Sequence, residues 1–83
     1  MLKVLYFAAL REAIGVAEER VALPAPATVG ALVEALRARD GKYADALAPS
    51  RRWRVAVNQD MVGLDAALKA GDEVAIFPPV TGG

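Results

Sequence analysis

Gly71-Asp72-Glu73-Val74-Ala75-Ile76-Phe77-Pro78-Pro79-Val80-Thr81-Gly82-Gly83 closes the 83-residue sequence, and how it is read decides the fold. Glu73 to Phe77 is a strand in which Val74 and Ile76 face one way while Ala75 and Phe77 face the other. Gly71 suits a turn position of positive φ just before it. Pro78 and Pro79 have no backbone N–H and a fixed φ, so the strand stops donating to a sheet ladder at Phe77. By itself the diglycine fits a frayed chain end. After a strand and a double-proline stop it also fits a thin stalk, since four residues beyond the prolines span roughly 14 Å when extended. Residues 1–77 are therefore expected to form the domain and residues 78–83 a flexible C-terminal tail.

Working outward, a closing strand needs partners. Leu2 to Ala8 alternates Leu2, Val4 and Tyr6 with Lys3, Leu5 and Phe7, a first strand with apolar groups on both faces. Ala9 to Ile14 has helical character and stops at Gly15. Val16 to Leu23 reads as a second, more polar strand ended by Pro24 and Pro26. Thr28 then precedes Val29, Leu32, Val33 and Leu36, an i, i+3, i+4, i+7 stripe behind an N-cap residue. This is the main helix, with Arg37 and Arg39 placed for its C-terminal dipole and Gly41 as its stop. Tyr43 to Leu47 reads as one further turn, and Ala48 to Arg52 as a loop. Trp53, Val55 and Val57 alternate with Arg54, Ala56 and Asn58 as a third strand. Asn58-Gln59-Asp60 follows as a hairpin turn, Met61-Val62 as a brief return strand and Leu64 to Leu68 as a helical turn. The fold class is α+β, a mixed sheet with one main helix on one face. On the other face Phe7, Leu5, Phe77 and Met61 then form an apolar patch at the root of the tail, a docking surface unless the sheet curls to bury them.

Composition narrows the chemistry. Ten Lys and Arg balance ten Asp and Glu, so no net basic field attracts nucleic acid or anionic lipid. The chain has neither Cys nor His. Disulfides, Ser-His or Cys-His nucleophile pairs and thiolate metal sites cannot be built from it alone, and the lack of Cys suits a reducing cytoplasm. Lys3 followed by Val4 to Leu10 imitates a short signal peptide, but Arg11-Glu12 interrupts it before any small-residue cleavage site. Arg51, Arg52 and Arg54 read as solvated loop charge with no glycine-rich cradle nearby. Asp60, Asp65 and Asp72 read as turn residues whose side chains cap backbone N–H groups, without a metal role.

Lys3 to Ala8 with Arg11-Glu12, then Val57-Asn58-Gln59, and above all Gly71 to Gly83, resemble the MoaD family, the small sulfur-carrying subunits of molybdopterin synthase, within the ubiquitin-like β-grasp sulfur carriers. The likeness runs the full length, and Ala38 to Arg52 matches in character alone. It implies a β-grasp fold and a carrier that is itself non-catalytic, the catalytic residues lying mainly on a large subunit in a heterotetramer. The Gly83 carboxylate would be adenylated by a ubiquitin-activating-like adenylyltransferase that consumes ATP, then converted to a thiocarboxylate with sulfur from a donor enzyme. That sulfur would pass to a cyclic pyranopterin precursor of the molybdenum cofactor. Val80, Thr81, Gly82 and Gly83 would insert into the large subunit, with Phe7, Arg11, Met61 and Phe77 at the contact. No permanently bound cofactor, metal, nucleic acid or membrane is implied. The same tail also suits a carrier for thiamine or tRNA thiolation, or a ubiquitin-like protein modifier.

Overall fold

The computed structural model describes residues 1–78; the tail residues Pro79, Val80, Thr81, Gly82 and Gly83 lie outside the described residues. Eight elements follow in order: β1 (Leu2–Tyr6), α1 (Ala8–Ile14), β2 (Glu18–Val21), α2 (Val29–Arg37), α3 (Gly41–Ala46), β3 (Arg54–Val57), β4 (Asp60–Val62) and β5 (Glu73–Phe77). The strands make one five-stranded sheet in the order β2-β1-β5-β3-β4. β1 and β5 run parallel, and every other neighbouring pair is antiparallel. This is the mixed sheet and main helix of the expected β-grasp.

One face of the sheet carries the core. Leu2, Val4 and Tyr6 of β1, Val74 and Ile76 of β5 and Val55 of β3 are buried against Val29, Leu32, Val33 and Leu36 of α2, with Leu10, Ile14, Tyr43 and Leu47 filling the flank. The helical stripe read from sequence is thus the buried face, and Thr28 caps it, its Oγ1 accepting from the Ala31 N–H at 3.2 Å. Gly15 takes φ 96° and closes α1, and Gly71 takes φ 91° before β5. Asn58 and Gln59, at φ 49° and 74°, form the two-residue β3–β4 hairpin with the primed-turn geometry that matches strand twist.

Several boundaries differ from expectation, each for a local reason. β1 ends at Tyr6 and not Ala8, because Phe7 is already the N-cap of α1 and Ala8 turns the chain at φ 51°. β2 is confined to Glu18–Val21, the length that the short β1 can pair, leaving Val16 and Leu23 exposed. α2 stops at Arg37, not at Gly41. Asp40 is extended and its Oδ1 accepts from the N–H groups of Lys42 and Tyr43, so it starts a new helix, α3, of which Gly41 is the first residue. Trp53 lies before β3, its indole Nε1 donating to the Ala48 carbonyl at 3.1 Å. Asp60 belongs to β4.

Leu64 to Leu68 is not a helical turn. Its backbone is committed elsewhere: the Leu64 and Ala66 carbonyls accept from the Gly30 and Val29 N–H groups at 2.7 and 3.0 Å, and the Leu68 N–H donates to the Ala27 carbonyl at 2.8 Å. The segment satisfies unpaired donors at the N-terminus of α2 and ties that helix to the connection between β4 and β5.

Candidate functional site

The site begins at the uncovered face of the sheet. Residues opposed in register share a face, so Leu5, Ala75, Ala56 and Met61 form a row across four strands on the side away from α2. One row further along β5, Phe77 stands opposite Arg54 of β3. The parallel register pairs Tyr6 with Ile76, and the extended Phe7 follows next to Phe77, its N–H donating to the Ile76 carbonyl at 3.2 Å. Phe7 is 45% and Met61 60% exposed, while Leu5, Ala75 and Phe77 are half-buried. The two small side chains in the centre of the row, Ala75 and Ala56, lie below the more exposed Phe7 and Met61 at the rim. This is a shallow apolar surface, of the kind that marks a docking site.

Of the residues anticipated at a contact, Phe7, Met61 and Phe77 therefore share this face. Arg11 is exposed on α1, one helical turn past Phe7, its N–H donating to the Phe7 carbonyl at 3.4 Å. Val80, Thr81, Gly82 and Gly83 lie outside the described residues. Pro78 leaves the sheet at the edge of the apolar face and lines a groove of about 270 Å³ with Ala9, Leu10, Ala13, Ala46 and Trp53, flanked by Arg51 and Arg52. Arg51 is paired with Asp45 at 3.3 Å, and Arg52 and Arg54 are exposed. Ala56 and Arg54 belong to the same surface, and their place was legible from the alternation of β3.

Two polar constellations brace the domain behind the site. In the first, the Glu19 carboxylate of β2 accepts from Tyr6 Oη at 2.7 Å, from Tyr43 Oη at 2.9 Å and from the Arg39 guanidinium. The Arg39 guanidinium also lies 5.2 Å from the Tyr43 ring centre, and the two tyrosine rings meet edge-on at 6.4 Å. Burial works to raise the Glu19 pKa, but the hydrogen bonds from Arg39, Tyr6 and Tyr43 outweigh it and hold the carboxyl below its ordinary value. Burial first, then the bond to Glu19, pushes both tyrosine hydroxyls above theirs. Sequence reasoning missed this group, having placed Arg39 on the main helix. The second constellation joins Asp72 to Asn58, whose side-chain amide holds the buried carboxyl below the ordinary range, with the Lys69 N–H adding to the effect.

Among the described residues no helix is long and apolar enough to cross a membrane.

Residues 4–83 match the ThiS family. Over its full length the chain is 47% identical to the molybdopterin synthase sulfur carrier subunit of Escherichia coli strain K12, covering 100% of both chains. Among solved structures it is similar to the small archaeal modifier protein 1 of Haloferax volcanii, with TM-score 0.76 and 32% identity, covering 95% of this chain and 97% of that one. It also shares its fold with a chain from the complex of subunits 1 and 2 of the molybdopterin-converting factor of Helicobacter pylori 26695, at TM-score 0.64 and 22% identity, covering 99% and 97%. The chain belongs to the ThiS family, and its full-length likeness to the Escherichia coli protein places it among the molybdopterin synthase sulfur carrier subunits.

Proposed function

We propose that this sulfur carrier subunit works through the carboxylate of Gly83, in the cytoplasm, as a substrate passed between partner enzymes. The observation that carries the proposal is the exit of β5, Phe77-Pro78, at the edge of an exposed apolar face formed with Phe7 and Met61. A docking surface at the root of the tail lets a partner grip the domain while the last residues reach its active site.

The chemistry follows from the poor electrophilicity of a carboxylate. A Gly83 carboxylate oxygen attacks the α-phosphorus of ATP on an adenylyltransferase, expelling pyrophosphate and leaving an acyl adenylate. A hydrosulfide equivalent from a donor enzyme then attacks the acyl carbon, AMP departs, and a thiocarboxylate remains. Val80, Thr81, Gly82 and Gly83 enter the large subunit, where the sulfur is given to the pyranopterin precursor. Gly82 keeps the tail thin enough for a narrow channel, and Arg11 sits at the margin of the contact. That a fold relative was solved as a complex of subunits 1 and 2 supports a large-subunit partner. Two sulfurs per dithiolene suit a heterotetramer with two carriers.

Intact mass measurement after incubation with the activating enzyme, ATP and a sulfur donor tests this. The expected result is the mass increase for exchange of one oxygen for sulfur, absent when one residue is appended after Gly83. No increase with an enzyme active on another carrier overturns the proposal. The likeness to a small archaeal modifier protein favours one rival, a protein modifier. Lysine-linked adducts on cellular proteins, with no molybdopterin formed from the thiocarboxylated chain, its large subunit and the precursor, would decide for it.

A further inference from the structure

Val57-Asn58-Gln59 and Gly71-Asp72-Glu73 lie far apart in sequence and outside the docking face, yet their side chains meet. Asn58 Nδ2 donates to Asp72 Oδ1 at 3.0 Å, and Asn58 Oδ1 accepts from the Glu73 N–H at 3.0 Å. Their backbones join too, the Asn58 N–H donating to the Glu73 carbonyl at 2.8 Å. The second Asp72 oxygen accepts from the Lys69 N–H at 2.9 Å, and the Asp72 carbonyl accepts from the Lys3 N–H at 3.0 Å. Asp72 is the one buried charged residue among those described, at 5% exposure. The first residue before β5 is therefore tied at once to the β3–β4 turn, to the preceding loop and to the start of β1.

The apolar pattern of β5 does not by itself demand this. A slip of one residue would throw Val74 and Ile76 out of the core and is excluded. A slip of two residues toward the N-terminus keeps the faces: Ile76 takes the place of Val74, and Pro78 that of Ile76. Apolar groups still meet apolar groups, at the cost of two ladder donors, because Pro78 and Pro79 would replace Ile76 and Phe77 in a strand flanked on both sides. Such a slip would withdraw everything beyond β5 by about 7 Å, at roughly 3.4 Å per residue. Transfer chemistry is sensitive to far less, because a misplacement of about 1 Å can cost about a hundredfold in rate. The prolines oppose that slip at the C-terminal end of β5, and the bonds at Asp72 and Asn58 hold its N-terminal end in the observed register.

We infer that Asn58 and Asp72 are positioning residues for sulfur transfer, a clamp that sets the register of β5 and so the reach of Gly83 into a partner. This rests on the proposed role of Gly83. Asn58→Gly is the clean probe, because glycine accepts the positive φ of the turn and removes only the side chain. Val33→Ala, a core change on α2, serves as the control for lowered stability. Amide hydrogen exchange in the free protein should quicken selectively at residues 73–77 in Asn58→Gly. In single turnover with the large subunit and precursor, transfer from its thiocarboxylate should slow at least about tenfold relative to Val33→Ala, with affinity for the large subunit within about twofold of wild type. Uniformly faster exchange, or equal slowing in both variants, overturns the inference. If wild-type thiocarboxylate transfers no sulfur, the proposed function falls, and the exchange experiment still decides whether the pair locks β5.

Discussion

Gly30 illustrates how one residue acts for two elements. It sits in the first turn of α2, where alanine would ordinarily stabilise by about 1 kcal/mol. Its N–H, however, donates to the Leu64 carbonyl at 2.7 Å, and a Cβ built there would lie 3.1 Å from that same oxygen. The carbonyl cannot retreat without loosening the bond. Gly41, in the first turn of α3, has nothing within 4 Å of its would-be Cβ. Gly30→Ala is therefore expected to lower stability by about 1 kcal/mol or more, and Gly41→Ala to leave it unchanged or raise it, as read from urea unfolding midpoints. Equal effects at both sites would mean that the Leu64 contact does not constrain the helix.

At the scale of elements, the Glu19 group joins β2 and β1, which already share a ladder, to α3, which has no backbone ladder with either. Glu19 has its pKa lowered on folding, so its contribution is present above the ordinary carboxylate range and is lost as pH falls through the folded value. The tyrosines are raised, so theirs is present below about pH 10 and is lost as pH rises above it. Glu19→Gln keeps the shape but removes the charge that Arg39 and both hydroxyls address. It is expected to cost about 1–3 kcal/mol at neutral pH and to flatten the loss of stability on acidification below about pH 4.5. Denaturant titrations from pH 3 to 7 check this (range of about four units, spanning the ordinary carboxyl value); an unchanged acid slope in the variant would assign that slope to other carboxylates.

For the whole molecule, all three helices serve one face of the sheet, and among the described residues none covers the other. Phe7 lies outside the core at 45% exposure, so a charge there should not unfold the domain. Phe7→Asp is expected to weaken binding to the large subunit at least about tenfold, some 1.4 kcal/mol, with the thermal midpoint nearly unchanged. Titration calorimetry beside a thermal melt separates the two. Wild-type affinity in a folded variant would move the contact elsewhere on the surface.

Local chemistry was enough for much of this. The alternation of Val74, Ala75, Ile76 and Phe77 sorted the two sheet faces, the Thr28 stripe marked the main helix, and Gly15 and Gly71 marked positive-φ turns, because each depends on periodicity or on a single backbone preference. The apolar face of Phe7, Met61 and Phe77 followed from the same parity. Residues that act across the chain stayed hidden. Arg39 looked like the end of a helix until Glu19, twenty residues earlier, supplied its partner. Leu64 to Leu68 looked helical until α2 claimed its carbonyls. Asn58 and Asp72 were recognisable as turn residues, while their bond to each other exists only because β5 lies between β1 and β3. Periodicity carries short-range preference, whereas the partner of a buried polar group is chosen by topology, and only the assembled sheet brings those partners within hydrogen-bond reach.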